Sequence, residues 1–267
     1  MKKLLNHRTP TALVCAIIVF LSVSSCKDND ILPQEEIADQ VVTSEIQDKI
    51  NWIKSKPVFY GKKVIYDEGI FFVDGDIMLI EQDIDIRMRK GKPGSGKNAQ
   101  RRTEFLVSYD RVKDVKLYFG TRGILNTSWD TAFHNAVDQW NAQAVNSLVR
   151  FRVVTNEEVS NGGPGSFDVA VQYYPHGDEF PGEPNAVAAA DFPYSDGSPG
   201  RTIQIAKKFD SEGLSFKETV ATHELGHIIG LAHSDVEAAG DLIPGTPATD
   251  AESIMVTTQV VVGVAMI

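Results

Sequence analysis

Cysteine is nearly absent from this chain of 267 residues, which has two, Cys15 and Cys26. Cys15 lies in an apolar run from about Ala12 to Val23, after a basic start (Lys2, Lys3, Arg8) and before the small residues Ser24 and Ser25. That order reads as an export signal. Its removal takes Cys15 away and leaves Cys26 as the only mature thiol, so an internal disulfide is excluded even where the compartment would permit one. A long apolar run is also missing, since this one is shorter than the about 20 residues a membrane-crossing helix needs. Basic charge is in deficit: 26 Lys and Arg face 36 Asp and Glu, a net −10. Without Lys2, Lys3 and Arg8, which have no acidic companions before Lys27, the remainder is 23 against 36, a net −13. Such a chain lacks the basic face that phosphate backbones require, which excludes nucleic acid as a partner. Disorder is not expected either, because 42% hydrophobic and 23% charged residues are the proportions of a packed globular protein.

Val23-Ser24-Ser25-Cys26 resembles a bacterial lipobox, in which the cysteine is acylated and becomes the new N-terminus. Lipid on Cys26 would explain an unpaired thiol in an exported protein, and would attach the chain to a membrane. The alternative is ordinary cleavage near Ser25, with Cys26 left as a free thiol. Lys27-Asp28-Asn29-Asp30 resembles the acidic tag that sends some lipoproteins to the cell surface, so an exported lipoprotein of the outer membrane or cell surface is expected.

No repeat of solenoid length is apparent. Residues 27 to about 42 read as a polar tether, and Thr43 to Lys54 as a short helix with Ile46, Ile50 and Ile53 on one face. Gly69 to Ile80 is strand-like, and Asp83-Ile84-Asp85-Ile86-Arg87-Met88 alternates strictly, which predicts another strand. Arg87 to Arg102 is basic, rich in glycine and almost free of apolar side chains, and reads as a protease-sensitive linker. Gly91-Lys92-Pro93-Gly94-Ser95-Gly96-Lys97 within it nearly spells a phosphate-binding loop. Asn98 stands where the magnesium-binding Ser or Thr belongs, and no apolar strand leads in, so nucleotide binding is a rival reading without its required context. Beyond Thr103 the pattern is strand (Val112 to Phe119), amphipathic helix (Trp129 to Leu148), strands (Val149 to Val154, Phe167 to Tyr173, Arg201 to Ala206) and helix (Ser215 to Leu231). That order predicts an α+β or α/β sandwich with a twisted mixed sheet and two main helices.

The last helix carries His223-Glu224-Leu225-Gly226-His227-Ile228-Ile229-Gly230-Leu231-Ala232-His233. Histidines four apart share one face about a turn apart, so both imidazoles can reach one ion. Glu224 is rotated roughly 100° from His223, beside the ion, where it can act on a water without ligating. A straight helix cannot deliver a ligand six residues after His227. Gly230 permits the sharp turn that would bring His233 in. Three imidazoles leave a position for water, as in catalytic rather than structural zinc sites. Histidines merely packed in a core would not explain Glu224, since an unpaired buried charge is costly.

These residues resemble the metzincin signature, His-Glu-x-x-His-x-x-Gly-x-x-His followed by a methionine turn. Ser253-Ile254-Met255, with Met255 standing 22 residues after His233, looks like that turn and would support the site from below. Among metzincins the chain is most similar to the dual-action HEIGH metallopeptidases of bacterial lipoproteins. Val73-Asp74-Gly75-Asp76-Ile77, Trp140-Asn141 and Ile203-Gln204-Ile205 look like landmarks of that family. The resemblance implies a zincin-like fold, one catalytic Zn²⁺ on His223, His227 and His233, Glu224 as general base, and a protein or peptide substrate. It also implies that Val187 to Ala190 is the edge strand on which an extended substrate pairs. Ser234 after the third histidine matches matrix metalloproteinases, and the loop from His176 to Gly200 resembles their structural zinc and calcium region. Two further histidines needed for that zinc are missing, so no second zinc is expected and His176 reads as a surface residue, while calcium stays open. No tyrosine stands two residues beyond Met255 as in astacins, and the segment after it is apolar rather than an obvious helix.

The expected organisation is a lipoprotein signal at 1–25, a tether and pro-segment with the basic linker at 26–102, and a monomeric zinc peptidase domain at 103–267. A rival function is a zinc-containing surface lipoprotein that binds peptides without turnover, against which the complete Glu224 argues. Val73-Asp74-Gly75-Asp76 resembles the aspartate switch of astacin pro-segments, which implies that Asp76 blocks the metal until a cut near Arg101-Arg102. The alternative is that Asp74-Gly75 is only a hairpin turn between strands.

Overall fold

In a computed structural model, the described residues are 42–257, apart from 57–58, 60, 82–83, 86–87, 89–100, 121–122, 144–147, 236–239, 244–245 and 247–252. The signal segment, Cys26 with its acidic tag, and the phosphate-loop look-alike at 91–97 lie outside them. All described residues belong to one compact unit, Val42–Ile267. No helix among them is long and apolar enough to cross a membrane.

Helix α1 (Ser44–Lys54) starts where expected, with the Thr43 hydroxyl accepting from the Ile46 N–H. Ile46, Ile50 and Ile53 are its buried face. Strands β1 (Val64–Asp67), β2 (Ile70–Val73) and β3 (Ile77–Ile80) then form an antiparallel meander. Phe71, Val73, Ile77 and Leu79 point at α1, while Phe72 and Met78 point to the other face against Tyr174, Phe180 and Ala189. The described residues of the alternating stretch at 83–88 are not in a strand. Glu81, Ile84, Asp85 and Met88 are helical, because Ile84 buries under α1 while Glu81 and Asp85, four residues apart, both reach the Lys49 ammonium at 2.6 and 3.1 Å.

β4 (Arg101–Arg102), expected as the end of a linker, is a strand. It is followed by β5 (Val115–Tyr118), helix α2 (Ser128–Gln143), β6 (Phe151–Val153), the short helix α3 (Asn156–Gly162) and β7 (Val169–Tyr173). Then come β8 (Ala188–Asp191), β9 (Thr202–Ile205), helix α4 (Leu214–Ile229), and two short strands, β10 (Leu231–Ala232) and β11 (Asp241–Leu242). The main sheet has eight strands in the order β1-β2-β3-β8-β9-β7-β5-β6, and it is mixed as expected. β9, β7, β5 and β6 run parallel, while β8 opposes β9 and runs parallel with β3. α2 and α4 pack together on one face over Val115, Leu117, Val171, Ile203 and Ile205. Trp140 donates from its indole to the Thr222 carbonyl at 3.0 Å, and Asn141 both gives to and takes from the Phe151 backbone, so α2 is pinned to α4 and to β6.

One expected edge of the sheet is occupied in this structure. Val187 to Ala190 was expected to be a free edge, yet β8 lies inside the sheet. Ile77 pairs with Ala190 and Met78 with Asp191, so β3 occupies the side on which a substrate strand would lie.

Candidate metal centre

α4 is built around its own interruption. Leu225, Ile228 and Val220 bury in the main core, which fixes the rotation of the helix and turns His223 and His227 toward β3. Gly230 ends the helix at φ 102°, and its N–H closes on the Gly226 and His227 carbonyls. A Cβ there would also lie 2.8 Å from the Phe105 carbonyl oxygen, so glycine is required twice over. The chain reverses through β10 and delivers His233 to the same spot. The ring centroids of the three histidines are 4.6 to 5.3 Å apart.

The fourth member arrives from the hairpin that leads into β3, the neighbour of β8. The loop Asp74-Gly75-Asp76 joins β2 to β3, with Asp74 at φ 58° and Gly75 at φ 91°. It is thus the hairpin that one reading of the sequence expected, and its tip brings the Asp76 carboxylate among the histidines that the other reading needed. Asp76 Oδ2 lies 2.6, 3.6 and 4.0 Å from Nε2 of His233, His223 and His227. One ligand atom from each of Asp76, His223, His227 and His233 falls within 4.8 Å of all the others. Lys62 forms an ion pair with Asp74, and Lys63 bonds both the Gly182 carbonyl at 2.6 Å and Glu183 at 2.9 Å, holding the tip down on either side.

Two of the three imidazoles are oriented from behind. His223 Nδ1 donates to the Ile254 carbonyl at 2.8 Å and His227 Nδ1 to the Leu231 carbonyl at 2.9 Å. A carbonyl can only accept, so the proton sits on Nδ1 and the Nε2 lone pair faces inward, as metal-binding histidines require. Phe192 stands edge-on against His227 at 5.3 Å. Met255 packs beneath, so close that a Cβ on Gly226 would collide with its sulfur. Ser234 N–H donates to the Met255 carbonyl at 2.8 Å, and Asp235 accepts from both the N–H and the hydroxyl of Thr257.

The chemistry of this donor set fits a cation. Nε2 of all three histidines, Asp76 Oδ1 and Glu224 Oε2 are buried and lack any hydrogen-bond partner of proper geometry. Five orphaned polar atoms in one place would cost several kcal/mol if nothing joined them (about 1–3 each). Three imidazoles and a carboxylate are ligands that Zn²⁺ takes readily. Electrostatics agree. Burial pushes the Asp76 carboxyl up, but His233, His223 and His227 together hold it far below the usual carboxylate range. Burial, and then the Asp76 charge, push Glu224 well above it. Burial lowers His227, as do His223 and His233; burial is also the largest influence on His233, but the adjacent Asp76 carboxylate, by charge and by hydrogen bonding, raises that imidazole on balance.

Every site residue expected from the sequence within the described range therefore meets at one centre, and Met255 lies under it. Cys26 falls outside that range. His176 sits apart on a loop, 38% exposed by its side chain and paired with Glu68 at 2.8 Å. No second gathering of ligand residues occurs among the described residues, so nothing supports calcium in the 176–200 loop. The sequence carried no sign of Phe192, Lys62, Lys63 or the Ile254 carbonyl as supporting groups, since all act across distant contacts. The sequence model of the dual-action HEIGH metallo-peptidase family matches residues 71–260, from β2 through the methionine turn. Comparison with curated proteins yields no match.

Proposed function

Because this chain belongs to the dual-action HEIGH metallo-peptidase family, we propose that it is a zinc-dependent endopeptidase of metzincin type, made as a latent precursor. The observation that carries the reading is the convergence of three buried Nε2 atoms, two of them on imidazoles oriented from behind, beside the buried, unsatisfied Glu224 Oε2. His223, His227 and His233 would hold one zinc. When bound it supplies a Lewis acid that polarises the scissile carbonyl and acidifies water. Glu224 accepts the proton of the attacking water and returns it to the leaving nitrogen. Its burial suits that task, because a desolvated carboxylate is a stronger base than one in water.

Latency follows from the hairpin. Asp76 fills the position that water needs, and β3 fills the side of β8 that an extended peptide would join by strand addition. A carboxylate can play this part because zinc accepts Asp oxygen readily. Gly75 suits the tip, since a Cβ there would press on Ala186 at 3.2 Å. The segment up to the start of the catalytic domain is then a pro-segment, and its departure opens both metal and strand edge. Export as a monomeric lipoprotein anchored at Cys26 completes the proposal. It rests on the lipobox-like sequence alone, and unchanged detergent partitioning of Cys26→Ser would sink it.

The central test uses mixed peptides with and without a chelator, read by mass spectrometry, alongside metal analysis. One zinc per activated chain is expected. Glu224→Gln should keep the zinc and lose about 10²–10⁴ or more in rate, while His227→Ala should lose the zinc. Cleavage by Glu224→Gln at the parent rate would refute the mechanism.

A further inference from the structure

Arg101-Arg102 looks in the sequence like a processing signal at the end of a basic linker. In the fold these residues are β4, the middle strand of a small sheet ordered β10-β4-β11. Arg102 pairs with Leu231 on one side and Asp241 on the other, and Arg101 with Ala232 and Leu242. Arg101 is only 8% exposed, and its guanidinium donates to the Gly240 carbonyl at 3.0 Å. Arg102 bonds the Asp241 carboxylate at 3.1 Å. Thr103 extends the seam, donating its N–H to the Gly230 carbonyl at 2.8 Å. A backbone paired on both sides is not the exposed, unpaired chain that a processing protease takes.

What this strand holds is the turn that presents His233. Gly230 stops the helix, so α4 cannot fix the third histidine as it fixes the first two. β10 ends one residue before His233, and β11 begins where the loop beyond it returns. β4 is the bridge between these two limbs. A cut after Arg102 would let β4 leave with the segment before it.

Building on the zinc reading of His233, we propose that β4 is a strap that positions His233, with Arg101 and Arg102 as positioning residues. The activating cut spares the strap, and falls on the N-terminal side of Arg101. The mature enzyme then keeps both arginines, and the dibasic pair serves the metal site rather than the processing protease.

Two experiments on the full chain test this. In the first, the folded protein is treated with trypsin and the fragments are mapped by mass spectrometry, which needs no metal and so stands apart from the zinc reading. No cut after Arg101 or Arg102 is expected while the chain stays folded. A cut there accompanied by a gain in peptide hydrolysis would overturn the strap. In the second, zinc retention is measured by competition with a chromophoric chelator, and metal-free melting is measured separately. Arg101→Ala should weaken zinc binding about 10-fold or more, the usual effect of losing a group that orients a ligand. Arg102→Ala and Asp241→Asn should each weaken it less, and the exchanged pair Arg102→Asp with Asp241→Arg should recover it. If Arg101→Ala does not fold, the Arg102 and Asp241 variants still decide. Lower metal-free melting with unchanged zinc affinity in those variants would reduce β4 to a plain structural strand and refute the proposal. Absence of zinc from the activated parent would instead refute the zinc reading itself.

Discussion

His223 and His227 reach the centre from one helix, whereas His233 and Asp76 reach it from a turn and a hairpin that distant parts of the chain must hold in place. The first pair needs only helical geometry and a buried apolar face to set its rotation. The second pair depends on Gly230, on β4, on the register of β2 with β3, and on the two lysines around the hairpin tip. Local ligands are thus built in, while distant ones are adjustable. The proposed latency would exploit that difference, because Asp76, the group it removes, is the one supplied from farthest away in the sequence.

The sharpest way to break the comparison is to remove the distant carboxylate. Asp76→Ala should raise hydrolysis of short peptides by the uncut precursor about 10²-fold, equivalent to ~2.7 kcal/mol of blocked access. Extended peptides should gain less, because β3 still lies along β8. An equally inactive Asp76→Ala precursor beside an active cut form would rule Asp76 out as the plug. A smaller effect is expected at the turn. Gly230→Ala forces a side chain into the left-handed region and against the Phe105 carbonyl, at a cost of about 1–3 kcal/mol. It should lower zinc affinity more than it lowers helix content by circular dichroism, because the strain falls on His233 and not on His223 or His227. Equal loss of both would mean that helix and turn are one unit.

The smallest effect concerns the region that carries the hairpin. Hydrogen bonding from Lys49 is the main cause that holds the Glu81 carboxyl below its ordinary range, against the opposing effect of burial. A carboxyl depressed in the folded state stabilises that state above its ordinary pKa, and the contribution fades as pH falls through the depressed value. Glu81→Gln should therefore flatten the acid side of a melting-temperature profile below about pH 4.5, leaving neutral-pH zinc binding untouched. An unchanged acid limb would show that the Lys49 cluster does not hold α1 to the meander.

The legible parts of this protein are those whose cause is local. The period of Phe133, Val137 and Trp140 announces α2, and one eleven-residue motif announces three ligands and a base. α3 was not read from the sequence even though Thr155 and Glu158 form a capping box with both reciprocal bonds, because it buries no residue and so shows no apolar periodicity. β4, β10 and β11 are two-residue strands paired across more than a hundred positions, and no periodicity fits in two residues. The alternation at 83–88 misled because Lys49, far away in sequence, draws Glu81 and Asp85 together on one helical face. The occupation of the Val187 to Ala190 edge was hidden for a similar reason, since its partner strand lies more than a hundred residues earlier.

Gly226 and Met255 carry a consequence for the order of events in synthesis. The helix gives up a side chain in its middle so that the sulfur can enter, and His223 is oriented by the Ile254 carbonyl, 31 positions downstream. A ribosome therefore finishes the motif helix well before it makes the residues that aim its first imidazole. During that interval the nascent chain has the whole zinc motif but no completed site. The first imidazole is therefore aimed only once the methionine turn has closed under the helix, a step of assembly separate from anything done by the Asp76 hairpin.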